Sequence, residues 1–190
     1  MTNSLFASVR DRLSRRVPRE ADAVGRAQAA VAIVLVPVSE MQLDLLFIRR
    51  AEMEGDPWSG QMAFPGGRRE PSDADLLETA RRETKEEIGL DLPVESALGV
   101  LDDLAPITPS LPPILVRPFV FGVSARPEIT PNSEVALHLW TPLGELPDRV
   151  GNTEITVRGT RIITPAYHVG PHVVWGMTYR IVKHLLDLVT

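Results

Sequence analysis

Residues 29–38 form a nearly continuous aliphatic run, the pattern of a strand buried on both faces. The polar turn Ser39-Glu40-Met41-Gln42 separates it from a second apolar run at 43–48, and the two read as a hairpin. Further on, Leu77, Ala80, Thr84 and Ile88 recur at helical spacing, about 100° per residue, and make one stripe suited to packing on a sheet. Ser72, Asp73 and Asp75 are candidate caps for that helix, because their oxygens accept from unpaired backbone N–H groups. Gly89 is its expected left-handed stop. Ahead of it, Phe64-Pro65-Gly66-Gly67 ends the approach at 60–64 in a glycine turn, where both glycines can take backbone angles closed to other residues.

After this helix the pattern predicts a strand at 94–104 with an acidic end, Asp102-Asp103, and a proline-rich loop at 105–113 that cannot join a central ladder. A strand follows at 114–123, where Pro118 marks an edge or a bulge, then a loop at 126–133 and a strand at 134–140. Residues 143–146 read as a helical turn, and 155–157 with 160–164 as a hairpin around Gly159. The run at 173–182 leads into an amphipathic helix to 189, with Ile181, Leu185 and Leu188 as its stripe. Strands and helices mixed in this order favour a three-layer α/β sandwich over a regular β-α-β series.

Residues 4–17 read as a separate amphipathic helix, with Leu5, Phe6, Val9 and Leu13 on its apolar face and Arg10, Arg12, Arg15 and Arg16 making it basic. A transit peptide or membrane-surface helix has that character too. The apolar face is short and Asp11 interrupts the basic run, so a docking or dimer-contact helix is the preferred reading, with a homodimer as the candidate assembly. The chain then divides into an N-terminal helical segment, 1–25, and one domain, 26–190.

Composition narrows the chemistry. Apolar residues make up 44% and charged residues 24%, as in an ordinary globular protein. A net charge of -5 leaves no general electrostatic footprint for nucleic acid. The absence of cysteine excludes disulfides, thiolate catalysis and thiolate metal sites. No apolar run approaches about 20 residues, so no membrane helix is expected, and the location expected is cytoplasmic.

On the helix that stops at Gly89, Glu83, Glu86 and Glu87 stand three and four residues apart and share a face. Arg82 can pair with Glu86, but one arginine does not neutralise three carboxylates. Crowded hard oxygens of this kind suit Mg2+ or Mn2+, usually together with substrate phosphate oxygens. On its own E-x-x-E-E more often describes a solvated helix face, since short patterns are poor evidence alone.

The wider constellation is more specific. It resembles the Nudix box, G-x5-E-x7-R-E-U-x-E-E-x-G-U with U aliphatic. Arg82-Glu83-Thr84-Lys85-Glu86-Glu87-Ile88-Gly89-Leu90 matches the second half, with Thr84 in place of an aliphatic residue. Counted forward from Gly67, Asp73 stands where the family has glutamate; counted back from Arg82, the position is Ala74, so there is one extra residue. Similar spacing occurs in the coenzyme A pyrophosphatase branch. Arg50-Ala51, the run Gly60-Gln61-Met62-Ala63-Phe64-Pro65-Gly66-Gly67, Arg117-Pro118-Phe119-Val120, Glu134-Val135 and Trp175-Gly176-Met177-Thr178 are similar to that branch as well.

The resemblance implies an α/β/α sandwich around a mixed β-sheet, and a Mg2+- or Mn2+-dependent hydrolase that splits the diphosphate of coenzyme A or its thioesters. It implies Glu83, Glu86 and Glu87 as metal ligands with a backbone carbonyl near Gly66 or Gly67, and Arg82 as the residue orienting the glutamates. A box glutamate or Glu134 is the candidate general base. Arg49 and Arg50 suit phosphate through their guanidinium forks, and Gly66, Gly67 and Arg68 are expected along the substrate's phosphates. Where the coenzyme A signature carries an arginine between Arg50-Ala51 and Gly60, this chain has Glu54, Gly55 and Asp56. ADP-ribose or another nucleoside diphosphate derivative therefore stays an alternative substrate. A regulatory nucleotide-binding domain is the non-enzyme alternative; a lost box glutamate would be its sign, and all three are present.

Overall fold

The computed structural model describes residues 4–107, 111–157 and 160–189. At its centre is β1 (Ala27–Pro37), which runs parallel to β6 (Ile114–Gly122) along one edge. Its other edge is shared. The C-terminal end pairs with β2 (Leu43–Arg50) in the expected hairpin, and residues 29–31 pair with β4 (Gly66–Arg68). β1 and β2 thus part company, and β3 (Met62–Ala63) fills the gap on the β2 side. β7 (Val135–Pro142) covers the outer edge of β2, and β5 (Ala97–Val100) that of β6.

The sheet is buried on both faces, which is why its inner strands read as unbroken aliphatic runs. Ala30, Ala32 and Val34 of β1 and Leu46 and Ile48 of β2 pack under α2 (Leu76–Ile88) through Ala80 and Ile88. Two of the three β1 side chains on that face are alanines, so the helix lies close to the strand. Ile33, Leu35, Leu45 and Phe47 face the other way, toward α1 (Ser4–Ser14) and α3 (Gly176–Val189). The result is a mixed sheet between helical layers, as the resemblance implied.

Three elements differ from the expectation. Gly66-Gly67 is part of a short strand, not a turn, because β1 offers it an open edge. The 94–104 strand shortens to β5, preceded by a 3-10 turn at Val94–Ser96, with Leu104 returning to bridge Val116. Pro118 lies in an interior strand: its carbonyl accepts from Leu101 N at 2.9 Å, just past the end of β5, so the missing N–H interrupts no ladder. A bulge between Ala97 and Gly99 adjoins it.

A second, three-stranded antiparallel sheet was not foreseen. It joins β8 (Val150–Val157), β9 (Thr160–Val169) and β10 (His172–Trp175). The turn around Gly159, and residues 108–110 of the proline-rich loop, lie outside the described residues. A 3-10 helix at Leu143–Arg149 extends the expected turn.

α1 ends three residues before the expected 17. Val9 and Leu13 are buried, Leu13 lying on Gly99 and Phe6 on Gly122, where glycines leave room for the helix. The acidic pair then pins the following segment. Arg19 N donates to Asp102 at 2.9 Å and Ala21 N to Asp103 at 3.0 Å; Arg16 also pairs with Asp102, and Arg117 grips Asp103 with two bonds. Among the described residues no helix is long and apolar enough to cross a membrane.

Candidate active site

The site is built where α2 crosses β4. Asp75 caps the helix, its side chain accepting from Glu78 N at 2.8 Å, and Gly89 closes it with φ 72°. Gly66 and Gly67 are required for different reasons. A Cβ on Gly66 would stand 2.2 Å from the Ala30 carbonyl oxygen, and its φ of 150° disfavours other residues. Gly67 needs no unusual angle; a Cβ there would fall 2.4 Å from Cδ of Glu83. The Glu83 carboxylate therefore rests directly on the Gly67 backbone, and Gly66 N donates to Glu87 Oε2 at 2.8 Å.

Arg82 ties the helix to the loop before it. Its Nε and Nη2 grip both oxygens of Asp73, at 2.9 and 3.1 Å, while Nη2 also donates to the Arg68 carbonyl at 3.1 Å. Its contacts with Glu83 and Glu86 are each 3.0 Å. Asp73 is buried and accepts in addition from Glu70 N and Thr79 Oγ1, both at 2.9 Å. Arg82 holds the Asp73 carboxyl well below the usual carboxylate range, and Asp73 in turn pushes Arg82 up. Asp73 thus anchors Arg82, a role hidden in the sequence because an aspartate just ahead of a helix reads as a cap. Ser72 and Asp73 do not cap α2.

The three glutamates differ in setting. Glu87 is buried, and burial, opposed by Gly66 N–H and Arg50 and reinforced by Glu83 and Glu134, raises its pKa to about 7. Burial also pushes Glu83 up, against the pull of Arg82. Glu86 is more than half exposed and turned to Arg82. Among the described residues no three acidic or histidine side chains already converge as a metal cage. The donor chemistry nevertheless fits a hard divalent cation: Glu83 and Glu87 are crowded, desolvated carboxylates whose charge Arg82, Gly66 N–H and Arg50 compensate only in part. Glu86 joins them only by leaving Arg82.

Glu134 is brought to the same place. The loop before β7 closes the end of α2, with Thr130 N donating to the Ile88 carbonyl at 2.9 Å and Asn132 N to that of Glu87 at 2.8 Å. Glu134 is held by Asn132 Oδ1 on its N–H and by Ala51 N on its carbonyl. Its exposed carboxylate has no hydrogen-bond partner among the described residues.

The paired arginines diverge. Arg50 turns toward α2, with Nη1 3.9 Å from Glu87 Oε1, and is gripped by Asp56. Arg49 donates to the Gly60 carbonyl at 3.1 Å, pairs with Glu52, and faces a cleft of about 820 Å3. Gln61, Met62, Thr156, His172 and Trp175 also line that cleft, so the second sheet forms one of its walls. Pro57 and Ser59 border it from the 52–59 loop and Leu111 from the proline-rich one. Arg68 is exposed at the end of β4, while Arg69 is occupied by the Asp73 and Ala74 carbonyls. Trp58 packs with Ala29, Ile114 and Val116.

A family model described as NUDIX domain matches residues 27–158. The human protein named mitochondrial coenzyme A diphosphatase NUDT8 is 34% identical over 181 residues, 92% of this chain and 75% of that protein. The mouse protein of the same name is 32% identical over 174 residues, 86% of this chain and 80% of its own. Among solved structures, a MutT/nudix family protein from Enterococcus faecalis superposes with a TM-score of 0.62 at 16% identity, covering 93% of this chain and 66% of its own; it speaks to the fold alone.

Proposed function

The chain belongs to the Nudix family and is a Nudix pyrophosphohydrolase, and from that premise we propose that it cleaves the diphosphate of coenzyme A or its thioesters, with Mg2+ or Mn2+ bound. Nudix hydrolases generally use divalent metal ions. The observation that carries the reading is the pair of desolvated carboxylates, Glu83 and Glu87, seated on Gly67 and Gly66. The human and mouse relatives, named as coenzyme A diphosphatases, favour that substrate.

In this reading Glu83, Glu86 and Glu87, with the Gly67 carbonyl, hold the cation. A bound divalent ion would polarise phosphate oxygens and lower the pKa of water. The chain's own residues do the rest. Arg82, fixed by Asp73, keeps α2 in register over β4 and so sets where the carboxylates stand. Glu134, whose carboxylate has no hydrogen-bond partner among the described residues, accepts the proton of the attacking water. The water oxygen bonds to one phosphorus, the bridging P–O bond breaks, and two phosphate monoesters leave. Among the described residues Arg68 is open to phosphate oxygens, and Arg49 becomes so by leaving its exposed partner Glu52; Arg50 is held by the largely buried Asp56. The cleft takes the part of the substrate beyond the diphosphate, with Met62 and Trp175 as its apolar wall. The partner is thus a small nucleoside diphosphate derivative, handled without nucleic acid or membrane. A cytoplasmic location and a homodimer complete the reading.

The stretch Glu54-Gly55-Asp56, standing where the coenzyme A signature carries an arginine, favours ADP-ribose or a related nucleoside diphosphate as second choice. Turnover of coenzyme A, dephospho-coenzyme A and ADP-ribose with Mg2+ or Mn2+ decides between them. Coenzyme A and its dephospho form should be cleaved within about tenfold of each other, because the stretch 54–56 lacks the arginine of the coenzyme A signature. A preference above roughly a hundredfold for the phosphorylated form would refute that. Cleavage of ADP-ribose alone would replace coenzyme A as the substrate.

A further inference from the structure

Arg50 and Asp56 form a closed pair beside Glu87. Asp56 Oδ2 accepts from both Nε and Nη2 of Arg50, at 3.2 and 2.9 Å, and its Oδ1 accepts from Trp58 N at 3.0 Å. Both side chains are largely buried, 25% and 17% exposed. The remaining nitrogen of Arg50, Nη1, faces Glu87 Oε1 at 3.9 Å, outside hydrogen-bond reach. We propose that Asp56 is a positioning residue that holds Arg50 away from Glu87 and so keeps that carboxylate available to a divalent cation. The proposal rests on the reading of Glu87 as a metal ligand.

A largely buried guanidinium needs a carboxylate, and removing its partner leaves it to take the next one in reach. Among the described residues Glu87 is the other carboxylate within ion-pair distance of Arg50. A charge-assisted contact closes at about 2.8 Å, so a movement of roughly 1 Å would bring the two together. With Asp56 present, Arg50 is already neutralised and doubly bonded, and has little to gain from closing. Without it, Arg50 would occupy the oxygen that a cation needs. Asp56 is itself fixed by its own loop: its N–H donates to the Met53 carbonyl, and its carbonyl accepts from Ser59 N at 3.1 Å.

The test is Mn2+ binding to the full-length protein without substrate, followed by the paramagnetic resonance of free Mn2+. Asp56→Ala should weaken Mn2+ binding by about tenfold or more, the size of one charge-assisted contact. Removing Arg50 as well, in Asp56→Ala/Arg50→Ala, should return affinity to within about threefold of wild type. Asp56→Glu, which restores the carboxylate, should stay near wild type. Asp56→Asn keeps the Trp58 cap and tests the same point if alanine unsettles the loop. Wild-type affinity in Asp56→Ala would overturn the proposal; so would a double variant as weak as the single one, which would mark Asp56 as a loop cap only. If the wild-type protein itself binds no Mn2+, the metal reading of Glu87 falls and the proposal falls with it.

Discussion

Glu87 carries a charge that its surroundings resist. Burial, Glu83 and Glu134 outweigh the Gly66 N–H and Arg50, so the carboxyl loses its proton near pH 7 in the folded chain instead of near 4.5. The folded state therefore binds more protons than the unfolded one in that window, and stability falls as pH rises through it. A gap of that size corresponds to about 3 kcal/mol. With a chelator present, the melting temperature should fall between pH 5 and 7.5, added Mn2+ should restore it, and Glu87→Gln should remove this part of the slope. Parallel pH profiles for wild type and Glu87→Gln would contradict the assignment. The glutamates were legible because spacing on a helix is written in residue numbers. Asp73 and Asp56 were not: each pairs with an arginine across a loop, and no periodicity records such a contact.

At the scale of elements, apolar runs translated well where burial is two-sided, as in β1, β2 and β6. β4 escaped notice because Gly-Gly-Arg has neither alternation nor β-branched residues; its pairing comes from the edge of β1 left open by the parting of β2. The sequence shows only part of β8 and β9: residues 155–157 and 160–164 carry the isoleucines, whereas Gly151-Asn152 and Pro165 break the strand pattern in the other halves. The apolar face of the N-terminal helix, expected to serve docking or dimer contact, is docked within the chain. Leu13 sits where a Cβ on Gly99 would come within 2.7 Å of its own Cβ. Gly99→Val should therefore lift α1 from the sheet while leaving α2 in place. Hydrogen exchange should show rapid exchange over residues 4–14 and unchanged protection over 76–88; retained protection of α1 would disprove the steric argument.

The molecule as a whole joins two sheets around one cleft. Nothing in the sequence announced the second sheet as a wall, because the contact depends on where β10 turns into α3. Thr178 in the first turn of α3 donates to the Met62 carbonyl at 3.0 Å, linking that corner to β3. Thr178→Val removes the bond while keeping the shape, and it acts on the cleft, not on the glutamates. KM should rise severalfold while kcat stays within about twofold, the pattern of lost uniform binding. A matching loss in kcat and kcat/KM would place Thr178 in the chemistry instead. The parallel pairing of β1 with β6 has a further bearing, on how the chain is made. β1 is complete at residue 37, whereas β6 begins at residue 114. During synthesis from the N-terminus, β1 meets β2 almost at once but waits for β6 until most of the intervening chain has left the ribosome. Closing so long a loop is slow, and meanwhile Ile33 and Leu35 lack their final cover. The strand at the centre of the folded sheet is thus the one that keeps an edge open while the chain up to β6 is made.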